Sequence, residues 1–501
     1  MTKVFGKTAQ IIGRFYSCNL FQKGYNQLCP KRGGKKLIPM TQDMTTGSPL
    51  RRILLFCAPL LVGNLFQQFY NIADSVLVGR ILGVNSFAAV GSTGSLNFLV
   101  LGFALGMCSG FAIPIAQSFG AGDMDEVRRR TGQLVWLGLI ATALITLIAL
   151  FCTDDVLRLM QTPAEIFDEA YRYISIVFLG AGATILYNLG SGVLRALGDS
   201  RTPLYFLVAA ALANIALDVL FMRVLGTGVE GAAYATVLSQ GLSGLACLVY
   251  MWRCVPLLRL SRDDLRPDLR RMVVIANVGV PMGAQFSITA IGTIMVQGAV
   301  NSLGTSAVAA VAAGSKVHML VSAPLDSTGA TMATYCGQNL GAKDLWRIRR
   351  GVNAVTVVAF AYCALALAFN YYLGGTVASF FLDGADAAIL ADVHRYLVYN
   401  GAAYPMLAVI FVFRNSLQGM GFSSQAMSAG VAELAARAIV AFGMVGRLGY
   451  LAVCLANPAA WVFADAMLLT LYHIEVSKLE RRWAMSSEQR ETAVAVRLRT
   501  E

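Results

Sequence analysis

Twelve apolar stretches, each about 20 residues or longer, constrain this chain more than any other feature. A helix that crosses a bilayer needs roughly that length. The stretches lie near 53–79, 86–115, 132–152, 170–194, 203–222 and 229–252, then near 272–300, 307–335, 352–374, 393–418, 426–446 and 453–476. Composition agrees: 56% of residues are apolar and 14% charged, against about 25% charged in soluble domains. The expectation is an all-α polytopic membrane protein with no separate soluble domain.

The net charge of +12 has an address. Lys and Arg cluster in 1–52, 128–130, 195–201, 253–271, 343–350 and after 477, whereas the opposite loop ends carry Arg80, Arg158, Arg172, Arg223, Arg395 and Arg447. The loop 153–169 on that opposite side is acidic, with Asp154, Asp155, Glu165, Asp168 and Glu169. This is the positive-inside pattern, and it sets both termini in the cytoplasm. The basic excess therefore reads as topology and contact with the lipid bilayer, not as a nucleic-acid surface. The 10 cysteines are scattered without a Cys-x-x-Cys pair, so neither a disulfide framework nor a metal site is indicated. Residues 1–48 form a basic extension that lacks a signal-peptide core. It reads as a disordered segment or a start-site artefact, with Met40 or Met44 as a natural start.

The chain repeats itself. Leu82-Gly83 returns as Leu303-Gly304, and Gln117-x-x-Gly120-Ala121-x-Asp123 as Gln338-x-x-Gly341-Ala342-x-Asp344, 221 residues on. Pro59 matches Pro281 at 222; Arg172-Tyr173 matches Arg395-Tyr396 and Leu194-x-x-x-Gly198 matches Leu417-x-x-x-Gly421 at 223. Each half holds six spans, so both halves enter the membrane from the same side. Two tandem six-helix bundles related by a pseudo-two-fold axis along the membrane normal follow, with the substrate site between them. The lobes are 49–252 and 272–477, joined by a cytoplasmic linker 253–271 and followed by a tail 478–501.

The first span carries a polar stripe, Asn64, Gln67, Asn71 and Asp74, on one helical face. The fifth adds Asn214 and Asp218, and the sixth Thr236. The helical rise puts Asp74, Asn214, Asp218 and Thr236 at one depth. A carboxylate inside the membrane is functional by default. Such a pair can take up a proton or, with the amide and hydroxyl oxygens added, hold Na⁺. The second half offers Gln285, Thr289, Thr293 and Gln297 instead, and Arg437 stands where the repeat spacing from Asn214 points. Glu433 and Arg437, one turn apart, read as a structural ion pair. Lys316, His318 and Asp326 of the eighth span and Arg414 of the tenth are expected to face the cavity between the halves, with Gln67, Tyr70 and Asn71. Gly102, Gly106, Gly110, Gly279 and Gly283 have the spacing of close helix packing. There is no P-loop, zinc-protease or nucleophile-elbow motif. The chain thus reads as neither an enzyme nor a nucleotide binder, with no cofactor, and transport must draw on an ion gradient.

Five segments together resemble the MATE family (multidrug and toxic compound extrusion), in its DinF-like bacterial branch. They are Pro59–Arg80, Leu194–Pro203, Asn214–Asp218, Gly231–Thr236 and Gly337–Ala342. The resemblance implies two lobes rocking about a central cavity and antiport of drugs or organic cations against H⁺ or Na⁺ by a monomer in the bacterial inner membrane. It also implies a cation site at Asp74, Asn214, Asp218 and Thr236, with Asn188 joining by motif. The carboxylates of the NorM-like branch are replaced here by Thr289 and Leu407. A flippase of lipid-linked precursors and a non-transporting receptor or scaffold are the rival readings.

Overall fold

The computed structural model describes residues 42–160, 162–380, 382 and 387–500, with side chains through residue 484 (Val84 excepted). Residues 1–41, most of the basic extension, lie outside it. Among the described residues, ten helices are long and apolar enough to cross a membrane, and two further pairs, bent by 44° and 50°, bring the number to 12 when each pair is one span. We label them α1 (Pro49–Leu82), α2 (Asn85–Gly120), α3 (Met124–Leu159), α4 (Ala164–Leu179 with Ala181–Ala196), α5 (Arg201–Val224) and α6 (Val229–Cys254). The second set is α7 (Leu269–Asn301), α8 (Thr305–Gly341), α9 (Leu345–Tyr372), α10 (Ala387–Ala402 with Tyr404–Gly419), α11 (Ser423–Leu448) and α12 (Tyr450–Ala484).

Helices dominate because a backbone in lipid must satisfy its own polar groups. The bend in α4 falls at Gly180, and that in α10 falls at Ala403, just ahead of Pro405. Apart from α2 and α7, which pack most heavily on each other, helices α1–α6 pack mainly among themselves, as do α7–α12. Between the two lobes the contacts are reciprocal: α2 lies along α7, α1 lies along α8, and the ends of α2 and α8 meet. Exchanging the two repeats maps the first seam onto the second and the third onto itself.

The α2–α7 seam is built from the spaced glycines. A Cβ on Gly106 would stand 2.7 Å from the Met282 carbonyl oxygen, and one on Gly283 would stand 2.8 Å from that of Phe103. Small residues there let two backbones touch, the main source of cohesion where no water is expelled.

Where α2 ends and α3 begins, the repeated motif explains itself. Asp123 caps α3 by accepting from the Glu126 amide at 2.9 Å, and its mate Asp344 caps α9 by accepting from Arg347 at 2.9 Å. The tight turn before each cap needs left-handed backbone, supplied by Gly122 (φ 76°) and Lys343 (φ 59°).

The connection between the lobes, 255–268, is bound to α3. The Gln133 amide donates to the Arg266 carbonyl and accepts from the Asp268 amide, both at 2.9 Å. The segment 42–48, grouped in the sequence with the loose extension, is instead anchored at Gln42 and Met44. Met44 is fully buried. Its carbonyl accepts from Arg347 at 3.0 Å, its amide donates to Gln338 at 3.1 Å, and the Gln42 amide donates to Gly198 of the other lobe at 3.1 Å.

Candidate functional site

In the first lobe four helices converge on one polar cluster. Asn214 and Asp218, a turn apart on α5, are both fully buried. Asp218 is the last residue before a π-helical turn, Val219–Val224, and such widened turns concentrate at functional sites. From α6, Thr236 accepts from the Asn214 amide at 3.5 Å. Asp74 of α1 faces Asp218 closely enough for the two carboxyl groups to interact. Tyr70 and, from α4, Tyr173 are near enough to both acids to interact with them electrostatically.

Both oxygens of Asp218, Oδ1 of Asp74 and Oδ1 of Asn214 are buried without a hydrogen-bond partner. An unpaired acceptor in such surroundings costs about 1–3 kcal/mol, and here four share one spot. Acceptors gathered without donors are chemically suited to a cation, whether a proton shared by the carboxyls or a metal ion held by the oxygens. One to two turns below Asp74 along α1, Gln67 and Tyr70 line a pocket with Leu207, Ala210, Ala211, Ser239 and Gln240. Asn188 stands apart: its amide donates to the Thr184 carbonyl of its own helix at 2.8 Å, and no hydrogen bond among the described residues joins it to the other four.

The second lobe holds a different cluster at the equivalent place. Arg437 is the repeat mate of Asn214, and Tyr396, the mate of Tyr173, interacts with it. A π-turn, Ile439–Met444, follows here too. Glu433 is 3.5 Å from Arg437 Nη2, but it makes its close contact with Arg414 of α10. Arg414, Glu433 and Arg437 are all buried, so Arg414 belongs to the interior of this lobe and not to the cavity lining. The pair expected from the sequence is therefore a triad, with Asp465 of α12 close enough to interact with Arg414 and Glu433. Gln285 accepts from Gln418 at 2.6 Å, and Thr289 donates to the Gln285 carbonyl at 3.0 Å.

Between the lobes, the basic end is sealed. Gln117 donates to the Gly419 carbonyl at 3.0 Å, and its mate Gln338 donates to the Ala196 carbonyl at 2.9 Å. Ala196 and Gly419 are themselves mates at 223. Gly120 rests on the Gln338 backbone and Gly341 on that of Gln117. Towards the other end the cross-lobe bonds stop at Ser287 to the Leu99 carbonyl, 3.3 Å, and at Asn64, which donates to Asp326 and to Ser327, both at 3.0 Å. Beyond that level Asn71 and Lys316 are exposed.

Sequence reasoning put Asn64 in one stripe with Asp74, yet the structure turns Asn64 to the opposite lobe. It missed Tyr173, Asp465 and the Asn64–Asp326 contact. Tyr173 was already marked by the repeat. The other two depend on which helices are neighbours, which one chain's periodicity does not encode.

Residues 59–220 and 281–442 each match the profile of the MatE family, two copies 222 residues apart, in register with the internal repeat. A probable multidrug resistance protein of Bacillus subtilis, YpnP, is 29% identical over 387 residues, 77% of this chain and 86% of its own length. DNA damage-inducible protein F of Escherichia coli is 26% identical over 379 residues, 72% of this chain and 78% of its own. A MOP superfamily transporter from Pyrococcus furiosus shares the fold, with a TM-score of 0.80 at 23% identity over 88% of this chain and 99% of its own. With both halves matched and the twelve-helix architecture shared, the chain belongs to the MatE family.

Proposed function

We propose that this protein exports small, mostly cationic organic compounds across the bacterial inner membrane in exchange for H⁺ or Na⁺ bound at Asp74, Asp218, Asn214 and Thr236. The observation that carries the reading is the group of four buried acceptor oxygens without a donor. Its relatives' names, probable multidrug resistance proteins, support the substrate class. The basic end is the cytoplasmic one on the charge pattern, and both termini lie there. The chain works as a monomer, since both lobes of the cleft come from one chain.

On this reading the ion enters from outside, and the drug is held in the cleft between the lobes. Ion binding satisfies the orphaned oxygens and lowers the hold on the drug. The ion-loaded protein then rocks so that the latch of Gln117 and Gln338 opens, and the ion leaves to the cytoplasm. The C-lobe triad carries one net positive charge, which Asp465 beside it can balance, and it is structural. Asn188, whose N–H bonds its own helix, is not needed for this site.

The test is ethidium efflux in inverted vesicles under a pH gradient and, separately, a Na⁺ gradient, with Asp74→Asn at matched expression. Wild-type transport on one gradient, lost in the variant, supports the reading and names the ion. An unchanged variant removes the N-lobe site. A wild type that moves no organic cation under either gradient leaves the flippase reading in its place.

A further inference from the structure

We infer that Asp326, at the floor of the cleft, is the carboxylate that holds the positive charge of the exported molecule, and that the site admits one such charge and disfavours two. The inference rests on the export reading above and names the side chain that reading leaves unnamed.

Five acids lie well inside the spans. Asp218 and Glu433 are buried, Asp74 and Asp465 are partly covered, and Asp326 alone is exposed. Its Oδ2 accepts from the Asn64 amide across the lobe boundary at 3.0 Å, and the same amide reaches Ser327 at 3.0 Å. Nearer the basic end Cys57 meets Thr328 at 3.7 Å, and the α1–α8 seam is shut. Asp326 therefore sits where the cleft ends, held by a neutral amide. A carboxylate in a water-lined cleft between apolar helices attracts a cation more strongly than one in open water, because its field is less screened. A ligand cation that takes Asp326 also competes with Asn64, the outermost bond between α1 and α8.

Two cations bracket the site. Arg195 of α4 is close enough to interact with Asp326. Lys316 lies on the same exposed face of α8 as Ala312, Met319 and Asp326, ten residues outward, or about 15 Å by helical rise. It makes no ion pair among the described residues, and an unpaired lysine at this depth faces water, not lipid. One negative charge between two positive ones accepts a monovalent cation with apolar bulk and repels a second charge further up the cleft.

Ethidium and propidium share a ring system and carry one and two positive charges. Fluorescence titration of the purified protein in nanodiscs should show tighter ethidium binding by wild type, weakened about tenfold or more in Asp326→Asn and largely restored in Asp326→Glu. Lys316→Gln should raise propidium affinity towards that of ethidium. In the wild type, carbodiimide should modify Asp326, and saturating ethidium should protect it, a readout that needs no variant to fold. Unchanged ethidium affinity in Asp326→Asn, or labelling that ethidium does not affect, overturns the assignment. Unchanged propidium binding in Lys316→Gln overturns the limit on charge. A wild type that binds neither dye overturns the export reading and this inference with it. Dye binding equal in wild type and Asp326→Asn, with efflux still lost in Asp74→Asn, overturns only the role of Asp326.

Discussion

Gly120→Ala and Gly341→Ala should open the basic end without touching a polar group. A Cβ on Gly120 would overlap the Gln338 carbonyl oxygen and stand 2.5 Å from its carbon and 2.6 Å from its Cα. Carbon contacts are comfortable at about 3.5–4.0 Å, so the lobes must part by roughly 1 Å. The obstacle is backbone on both sides, and no side chain can swing away to relieve it. Parting breaks the reciprocal bonds of Gln117 at 3.0 Å and Gln338 at 2.9 Å. At about 1 kcal/mol each, the sealed state loses about 2 kcal/mol, a shift of about 30-fold against any open state. Spin labels at Asp125→Cys and Arg350→Cys, with native cysteines replaced, report the separation of α3 and α9 at that end by pulsed electron resonance in nanodiscs. Both alanine variants should move weight to longer distances, and by similar amounts, because the two glycines are related by the repeat. Distributions identical to wild type, or a shift in one variant alone, would refute the symmetric latch.

Glu433→Gln removes the carboxylate that both Arg414 and Arg437 contact. Uncompensated buried charge costs about 3–5 kcal/mol, so thermal unfolding in detergent should drop by many degrees, and an unmoved transition would contradict the triad. Met44→Ala empties a fully buried site beneath Arg347, at a cost of about 2–5 kcal/mol. Proteolysis of the segment before α1 should then begin in the folded protein, and resistance equal to wild type would mean the segment is not docked. In the linker, burial alone would raise the Asp264 carboxyl. The Ser261 amide and hydroxyl, with Arg128 and Arg129, outweigh that and hold it below the usual carboxylate range. A depressed folded value stabilises above the unfolded value of about 3.9 and fades as pH falls through the lower folded one. Amide protection in 255–268 should therefore be flat from pH 7 to 5 and fall below about 4, and a loss between 7 and 5 would point to another group.

What the sequence made legible is what a helix carries along its own axis. Span number, the repeat and the depth of Asp74, Asn214, Asp218 and Thr236 all follow from apolar length and a fixed rise. The repeat even marked Gln117 and Gln338, though not why: the reason is a backbone in the other lobe. Rotation about the axis was read less well. The 3-4-3 spacing puts Asn64 and Asp74 on one face of an ideal helix, but the face is broad, and α1 packs on both lobes, on α8 as well as on α5. Charge pairing was hardest. Glu433 with Arg437 is a sequence-local pair, whereas the closer partner, Arg414, comes from a helix whose bend at Ala403 sets where it points. Asn188 resembles a ligand by motif, and no hydrogen bond among the described residues joins it to the other four.

The two lobes keep one scaffold and change its chemistry. Tyr173 and Tyr396 are mates, Asn214 and Arg437 are mates, and each cluster precedes a π-turn. In one lobe acceptors gather without donors; in the other, two arginines and a glutamate largely answer one another, leaving Arg414 Nε and Arg437 Nη1 without a partner. An ion that bound both ends of the transport cycle equally would move nothing, because only differential affinity shifts an equilibrium. On the proposed reading the ion site must therefore change shape between states, and it can do so only through the helices that build it. Helix α1 joins both proposed sites: Asp74 stands in the acidic cluster, and Asn64, about 15 Å along the same helix, holds Asp326. On the proposed reading, an ion that draws Asp74 towards Asp218 pulls on the helix that closes the cleft, while a ligand that takes Asp326 releases it. A single helix engaged at both sites makes the two occupancies compete, as antiport requires, and the C-lobe needs no ion of its own.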